Sequence, residues 1–171
     1  MLYSMASTYA VMALIELAAR RQSRPVHVRE LSDSTGIPCD FLAKLIRTLV
    51  KAGILNSAKG KKGGIQFARS PSDISIAEVV RAIEGKQALW RCLFSLHPCD
   101  QYRNCPLYPK WGFIRNQIMD FLENTSISEL ASKISFSCRK SMRGDEEVTE
   151  EGESFFNEIK EIKESNYPKK F

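Results

Sequence analysis

A chain of 171 residues, 43% of them hydrophobic, is about one domain long and can bury a core that stands without disulfides. Its 25 Lys and Arg against 20 Asp and Glu leave a net charge of +5, and the excess is local: residues 1–70 hold 11 basic and four acidic side chains, as expected of a module that faces a polyanion. The apolar run "AVMALIELAA" (10–19) contains Glu16 and runs into Arg20 and Arg21; it is too short to span a bilayer and is not framed as a secretion signal, so no membrane partner is expected and the cytoplasm is the expected compartment.

Residues 8–21 read as a helix with Tyr9, Met12, Ala13, Ile15 and Leu17 on its apolar face. Pro25, in "SRPVHV", stops it. "VRELSDST" (28–35) predicts a short helix closed by Gly36, and Ile37 and Pro38 make a turn. Residues 39–53 predict a second helix. Asp40 is its expected N-cap, and Phe41, Leu42, Leu45, Ile46, Leu49 and Val50 form its buried stripe. Two short helices joined by a tight glycine turn make a helix-turn-helix pattern. "ILNSA" and "IQFAR" then alternate as two strands around a "KGKKGG" hairpin loop, which turns the pattern into a winged helix.

Residues 70–85 read as loop and helix, capped by Ser75 or Asp73, with Ile76, Val79, Val80 and Ile83 facing the core. Residues 111–131 contain a long helix with Trp111, Ile114, Ile118, Phe121 and Leu122 in one stripe. Such a stripe after a small DNA-binding module predicts a dimer helix, the alternative being that it packs back on its own domain. From Cys138 onward the chain is charged, with few apolar anchors, and predicts a mostly disordered tail. The expected fold is mainly α: a winged helix-turn-helix DNA-binding domain (1–85), a cysteine-containing loop (86–110), a dimerisation helix region (111–135) and a charged tail (136–171).

A recognition helix meets base edges with the exposed side chains of its first turns. The candidate DNA-facing residues are Cys39, Asp40, Phe41, Lys44 and Arg47, with Lys44 able to donate to guanine O6 and N7. Lys59, Gly60, Lys61 and Lys62 of the wing would lie near phosphates or enter the minor groove. Phosphate contacts supply affinity without sequence information. Cys39 would open the recognition helix, where its oxidation would block DNA contact; the alternative is a passive small residue.

Three of the five cysteines, Cys92, Cys99 and Cys105, fall in a 14-residue span with spacing Cys-x6-Cys-x5-Cys. Paired Cys-x2-Cys zinc knuckles are absent from the sequence. Soft thiolates on a loop suit an iron–sulfur cluster, and also zinc. Candidates for a fourth ligand within the loop are His97, Asp100 and Tyr108. Reduced inert thiols or a thiol–disulfide switch are the alternatives. The sequence offers no nucleophile–base pair and no phosphate-binding glycine motif after a strand, and its only histidines are His27 and His97, so an enzyme is not expected.

"STYAVMALIELA", "VRELSDSTGIPCDFLAKLIRTLVKAGIL" and "SAKGKKGGIQFARSPSDISIAEVVRAIEG" occur in that order, followed by the three cysteines and "CPLYPKW". In this order and spacing, residues 1 to about 131 resemble the bacterial winged-helix iron–sulfur regulators that include IscR and NsrR. The resemblance implies a homodimeric transcription factor on a pseudo-palindromic promoter site. It further implies a 2Fe–2S or 4Fe–4S cluster on Cys92, Cys99 and Cys105 whose state controls DNA binding. The chain also departs from the pattern. Tyr108 stands where IscR has a histidine ligand, and Thr8 where NsrR-type proteins use an acidic residue of the partner subunit. That leaves His97, Asp100, Tyr108, an exogenous thiol or a solvent-open site, and an incompletely ligated iron is a natural point of attack for nitric oxide, oxygen or low iron. Lys59 and Lys61 replace the family's wing arginine and proline. Ala43 and Lys44 replace acidic and amide side chains of the recognition helix, so a different operator is expected. Some relatives of this fold lack the cysteines and act through an enzyme partner; a cluster-free regulator of that kind is the competing expectation.

Overall fold

In the computed structural model, which describes residues 3–20, 24–60, 63–86, 88 and 105–133, the first helix, α1, spans Met5–Ala19. It begins three residues earlier than the apolar pattern predicts because Ser4 caps it, its hydroxyl accepting the Ser7 N–H at 3.4 Å. Ala10, Ala13, Leu14, Ile15 and Leu17 are buried, while Tyr9 and Met12, expected on the core face, are only half-buried. A helix this apolar on most sides belongs at the centre of the fold.

The second and third helices follow the sequence pattern closely. Helix α2 is Val28–Thr35 and α3 is Cys39–Lys51. Gly36 closes α2 at φ 71°, a backbone region that glycine enters without a steric penalty. Side chains stiffen the turn: Thr35 Oγ1 donates to the Leu31 carbonyl at 2.6 Å, and Ser32 Oγ donates to the Ile37 carbonyl at 2.6 Å. Ile37 is itself 2% exposed, so the turn is plugged into the core. Helix α3 buries Leu42, Leu45, Ile46 and Leu49. Two expectations fail here. Pro38, not Asp40, is the N-cap residue, and no side chain caps the helix; Asp40 lies inside the first turn, where its carboxylate suits the positive end of the helix dipole. Phe41 leaves the buried stripe and stands 37% exposed.

Strands β1 (Leu55–Ala58) and β2 (Gly64–Phe67) are antiparallel, with Leu55 opposite Phe67 and Ala58 opposite Gly64. The sheet has a third contributor that Pro25 concealed. Val26 exchanges both backbone hydrogen bonds with Ile65, at 2.9 and 2.8 Å, and ties the segment before α2 to the wing. Val26 and Ile65 are each 2% exposed, so the wing is rooted in the core.

A 3₁₀ turn (Pro71–Asp73) leads to α4 (Ile76–Glu84). Of the two expected caps Ser75 is the one used, accepting the Glu78 N–H at 3.2 Å. Arg69 pairs with Glu78 and donates to the Asp73 carbonyl, which fixes the 3₁₀ turn against α4. The long helix expected within 111–131 is α5 (Tyr108–Asn124), which opens ahead of Trp111, and a further short helix, α6 (Ile127–Lys133), follows it. The break is made by backbone pairing: Ile76 N–H donates to the Thr125 carbonyl at 3.1 Å, and Ile127 N–H donates to the Ile74 carbonyl at 2.9 Å. Ile127, fully buried, enters the main core with Leu14, Leu42, Leu49 and Ile74. Of the expected α5 stripe, Ile118 and Leu122 face Ile76, Ala77 and Val80 in a second core cluster. Ile114 and Phe121 point outward, 50% and 60% exposed, together with Leu107 (45%) and Phe113 (68%). No helix of the described residues is long and apolar enough to cross a membrane. The predicted tail, 136–171, lies outside the described residues.

Candidate nucleic-acid interface and cysteine segment

On α3 the steps between Asp40, Lys44, Arg47 and Lys51 are four, three and four residues, so their side chains form one ridge. All four are exposed. The ridge is opposite the buried Leu42, Leu45, Ile46 and Leu49, which is the geometry a major-groove helix requires. Three cations and one carboxylate line it. Arg47 Nε donates to the Ala43 carbonyl at 3.2 Å, which holds the guanidinium along the helix. Lys51 was not among the sequence candidates; the four-residue step from Arg47 is the signal that would have found it.

The other two α3 candidates flank the ridge. Cys39 is exposed as the first residue of the helix. Phe41 meets the edge of the Tyr9 ring from α1, with centroids 5.9 Å apart and planes at 82°, an attractive aromatic geometry. The aromatic pair therefore ties the first turn of α3 to α1. At the start of α2, His27 and Arg29 are exposed as well.

The wing is a tight hairpin. Gly60 has φ 102°, and its carbonyl accepts the Gly63 N–H at 2.9 Å. A Cβ on Gly63 would come within 2.3 Å of the Ala58 carbonyl oxygen, so the loop can close only on glycine at that position. Lys59 is exposed; Lys61 and Lys62 lie outside the described residues.

Of the cysteine segment, Cys92, Cys99, His97 and Asp100 lie outside the described residues. Cys105 is half-buried, and its carbonyl accepts the Tyr108 N–H at 2.9 Å. Tyr108 is the first residue of α5. The two sequence candidates that are described therefore sit together at the entrance to α5, one turn ahead of Trp111, whose indole N–H is buried without a hydrogen-bond partner among the described residues. With two of the three cysteines outside the described residues, no group of three metal donors is assembled among the rest. The donor chemistry at Cys105, a half-buried thiol, fits an iron–sulfur cluster, as thiolate is the usual cluster ligand.

The model of the Rrf2 family, described as iron-dependent transcriptional regulators, matches residues 3–133, which takes in α1 through α6 and the whole cysteine segment. The chain belongs to the Rrf2 family. This Rrf2 protein is 34% identical over 132 residues to an HTH-type transcriptional regulator of Aquifex aeolicus (strain VF5), covering 76% of this chain and 91% of the relative. It is 31% identical over 124 residues to the HTH-type transcriptional regulator IscR of Vibrio vulnificus (strain YJ016), covering 72% and 73%. Among solved structures it is similar to T. potens IscR, with TM-score 0.63, 25% identity and coverage of 77% and 87%. It is equally similar in fold to CymR, the global cysteine regulator of B. subtilis, with TM-score 0.63, 23% identity and coverage of 77% and 97%. The Rrf2 protein is a transcriptional regulator built on a winged helix, and its relatives are named as regulators, not enzymes.

Proposed function

We propose that this regulator binds double-stranded promoter DNA as a homodimer, under the control of an iron–sulfur cluster held by Cys92, Cys99 and Cys105 that reports iron, redox or nitric oxide status. The observation that carries the reading is the half-buried Cys105 at the entrance to α5, the helix whose outer face presents Leu107, Phe113, Ile114 and Phe121. A ligand set anchored there acts directly on the dimer helix. The family's description as iron-dependent supports the same assignment. Tyr108, His97 or Asp100 would complete the ligand set. The cluster supplies a labile, redox-active centre.

The chain's own residues do the rest. Asp40, Lys44, Arg47 and Lys51 read the major groove, with Cys39 and Phe41 at its rim. Lys59, Gly60, Lys61 and Lys62 engage the backbone or minor groove. Two recognition helices in a dimer address half-sites about 34 Å apart, so a change in α5 pairing of a few ångströms releases one half-site. Such a protein acts in the cytoplasm, where its thiols stay reduced.

The test is an absorption spectrum with iron and sulfide analysis on protein purified without oxygen, for wild type and for Cys92→Ala, Cys99→Ala and Cys105→Ala. Visible bands with stoichiometric iron, lost in each variant, are the expected result. A colourless wild type that still binds DNA sinks the cluster and leaves a cluster-free regulator working by a thiol switch or an enzyme partner.

A further inference from the structure

Helix α1 has no acidic residue in its first turn. In a self-contained capping box the third helical residue is Glu or Gln and reaches back to the N-cap N–H. Here that third residue is Ser7, which has no acceptor long enough to do so. The missing carboxylate comes from another helix. Glu84 Oε1, at the last residue of α4, accepts the Ser4 N–H at 2.6 Å and the Ser7 hydroxyl at 2.5 Å. Ser7 is fully buried, so this is an interior contact at the Ser7 end. The capping box is thus split between α1 and α4, across 80 residues of chain.

The donor of that carboxylate stands at a junction. Gly85, at φ 93°, follows it directly, and Cys92 lies eight residues beyond Glu84. At its other end the contact reaches the DNA-reading helix. Ser7 begins the turn that carries Tyr9, and Tyr9 abuts Phe41 in the first turn of α3. Beyond Tyr9, α1 is packed into the core through Ala10, Ala13 and Leu14, and a close-packed helix moves as a unit.

We propose that Glu84 is a positioning residue that couples the cysteine segment to the DNA-reading helix: its carboxylate clamps the first turn of α1, and α1 carries that constraint to α3 through Tyr9 and Phe41. The coupling rests on the cluster reading above only for the signal it transmits; the clamp itself operates in the cluster-free chain. Withdrawal of the Glu84 carboxylate frees the Ser4 N–H and the Ser7 hydroxyl, loosens the start of α1 and tilts the base-reading turn of α3.

Two measurements on the full chain test this. The first is amide hydrogen exchange without iron. Ser7→Ala, a mild change that keeps the fold, is expected to speed exchange at Thr8 and Tyr9, and also at Leu42 and Ala43, by at least about fivefold, with Leu49 unchanged. The second uses a duplex selected from a random-sequence pool by the wild-type protein. The ratio of its affinities for iron-loaded and chelator-stripped protein is expected to fall to within about twofold of unity in Glu84→Ala and to be retained in Glu84→Asp. Exchange at Leu42 and Ala43 that does not respond to Ser7→Ala, or a wild-type ratio preserved in Glu84→Ala, overturns the proposal. A wild-type ratio of one fails the cluster reading instead, and the exchange experiment still decides the clamp.

Discussion

The outer face of α5 makes a quantitative prediction. Leu107, Ile114 and Phe121 recur at seven-residue steps with Phe113 beside them, and all four are 45–68% exposed. Phe121 belongs to neither core cluster, so replacing it leaves the monomer intact. With 60% of its surface free, a phenylalanine of about 200 Å² leaves about 120 Å² per protomer for a partner. A two-fold interface contains it twice, or about 240 Å², which at ~25 cal/mol/Å² is about 6 kcal/mol. Phe121→Asp should therefore weaken the dimer by about four decades in Kd, and desolvation of the paired carboxylates adds to that. Sedimentation equilibrium across a protein series from about 0.1 to 100 μM reads the two constants side by side. The expected variant is monomeric throughout, with an unchanged helical circular dichroism spectrum and a thermal midpoint that no longer rises with protein concentration. It should protect one half-site of the operator in a footprint, not two. A variant whose Kd stays within about tenfold of wild type would falsify the assignment of this face to the dimer.

Three further outcomes test the interface and the scaffold. Lys44→Ala should lose about 1–3 kcal/mol on the preferred duplex and relax its sequence preference, whereas Lys59→Ala should weaken all sequences alike and lower the slope of log K against log salt by about 0.9; equal behaviour of the two variants in a salt series contradicts the division between ridge and wing. Gly64→Ala should destabilise the wing by more than about 1 kcal/mol, as φ is 146° and the new Cβ would meet the Val26 carbonyl oxygen at 2.8 Å, and an unchanged urea midpoint argues against the Val26–Ile65 bridge. Ile127→Ala should lower stability by about 2–5 kcal/mol, as it empties a fully buried site; a loss under about 1 kcal/mol, read from urea unfolding, means that α6 does not close the core.

Most of the winged helix is legible in the sequence because local rules dictate it. The residues of α2 coincide with "VRELSDST", and α3 opens at Cys39 as expected, since Gly36 and an apolar period of 3.6 specify the turn and the buried stripe without help from distant contacts. Where tertiary contacts decide, the pattern fails. Val26 reads as a loop residue beside Pro25, and only its pairing with Ile65 makes it part of the sheet. The apolar positions from Trp111 to Leu122 read as one stripe, but the fold splits them: α4 takes Ile118 and Leu122, and Ile114 and Phe121 are left outside. The start of a separate helix, α6, just after Asn124 also depends on distant contacts. "NTSIS" carries no proline or glycine, and the break comes from Thr125 and Ile127 pairing with the segment at Ile74–Ile76.

The candidate site divides along the same line. Lys44 and Arg47 can be placed on the exposed ridge from the period of α3 alone, because exposure on a half-buried helix follows from the positions of Leu42, Leu45, Ile46 and Leu49. Phe41 cannot. Its place in the period puts it at the edge of the apolar stripe, and the ring on α1 that receives it is 32 residues away in the chain. Glu84 is still less visible, since the donors it serves, Ser4 and Ser7, lie at the opposite end of the domain's sequence. Residues of the proposed DNA-facing ridge are thus written in local spacing. Residues that carry a signal to them are defined by which helix ends the fold brings together, and in this regulator α1 is the helix that meets both ends.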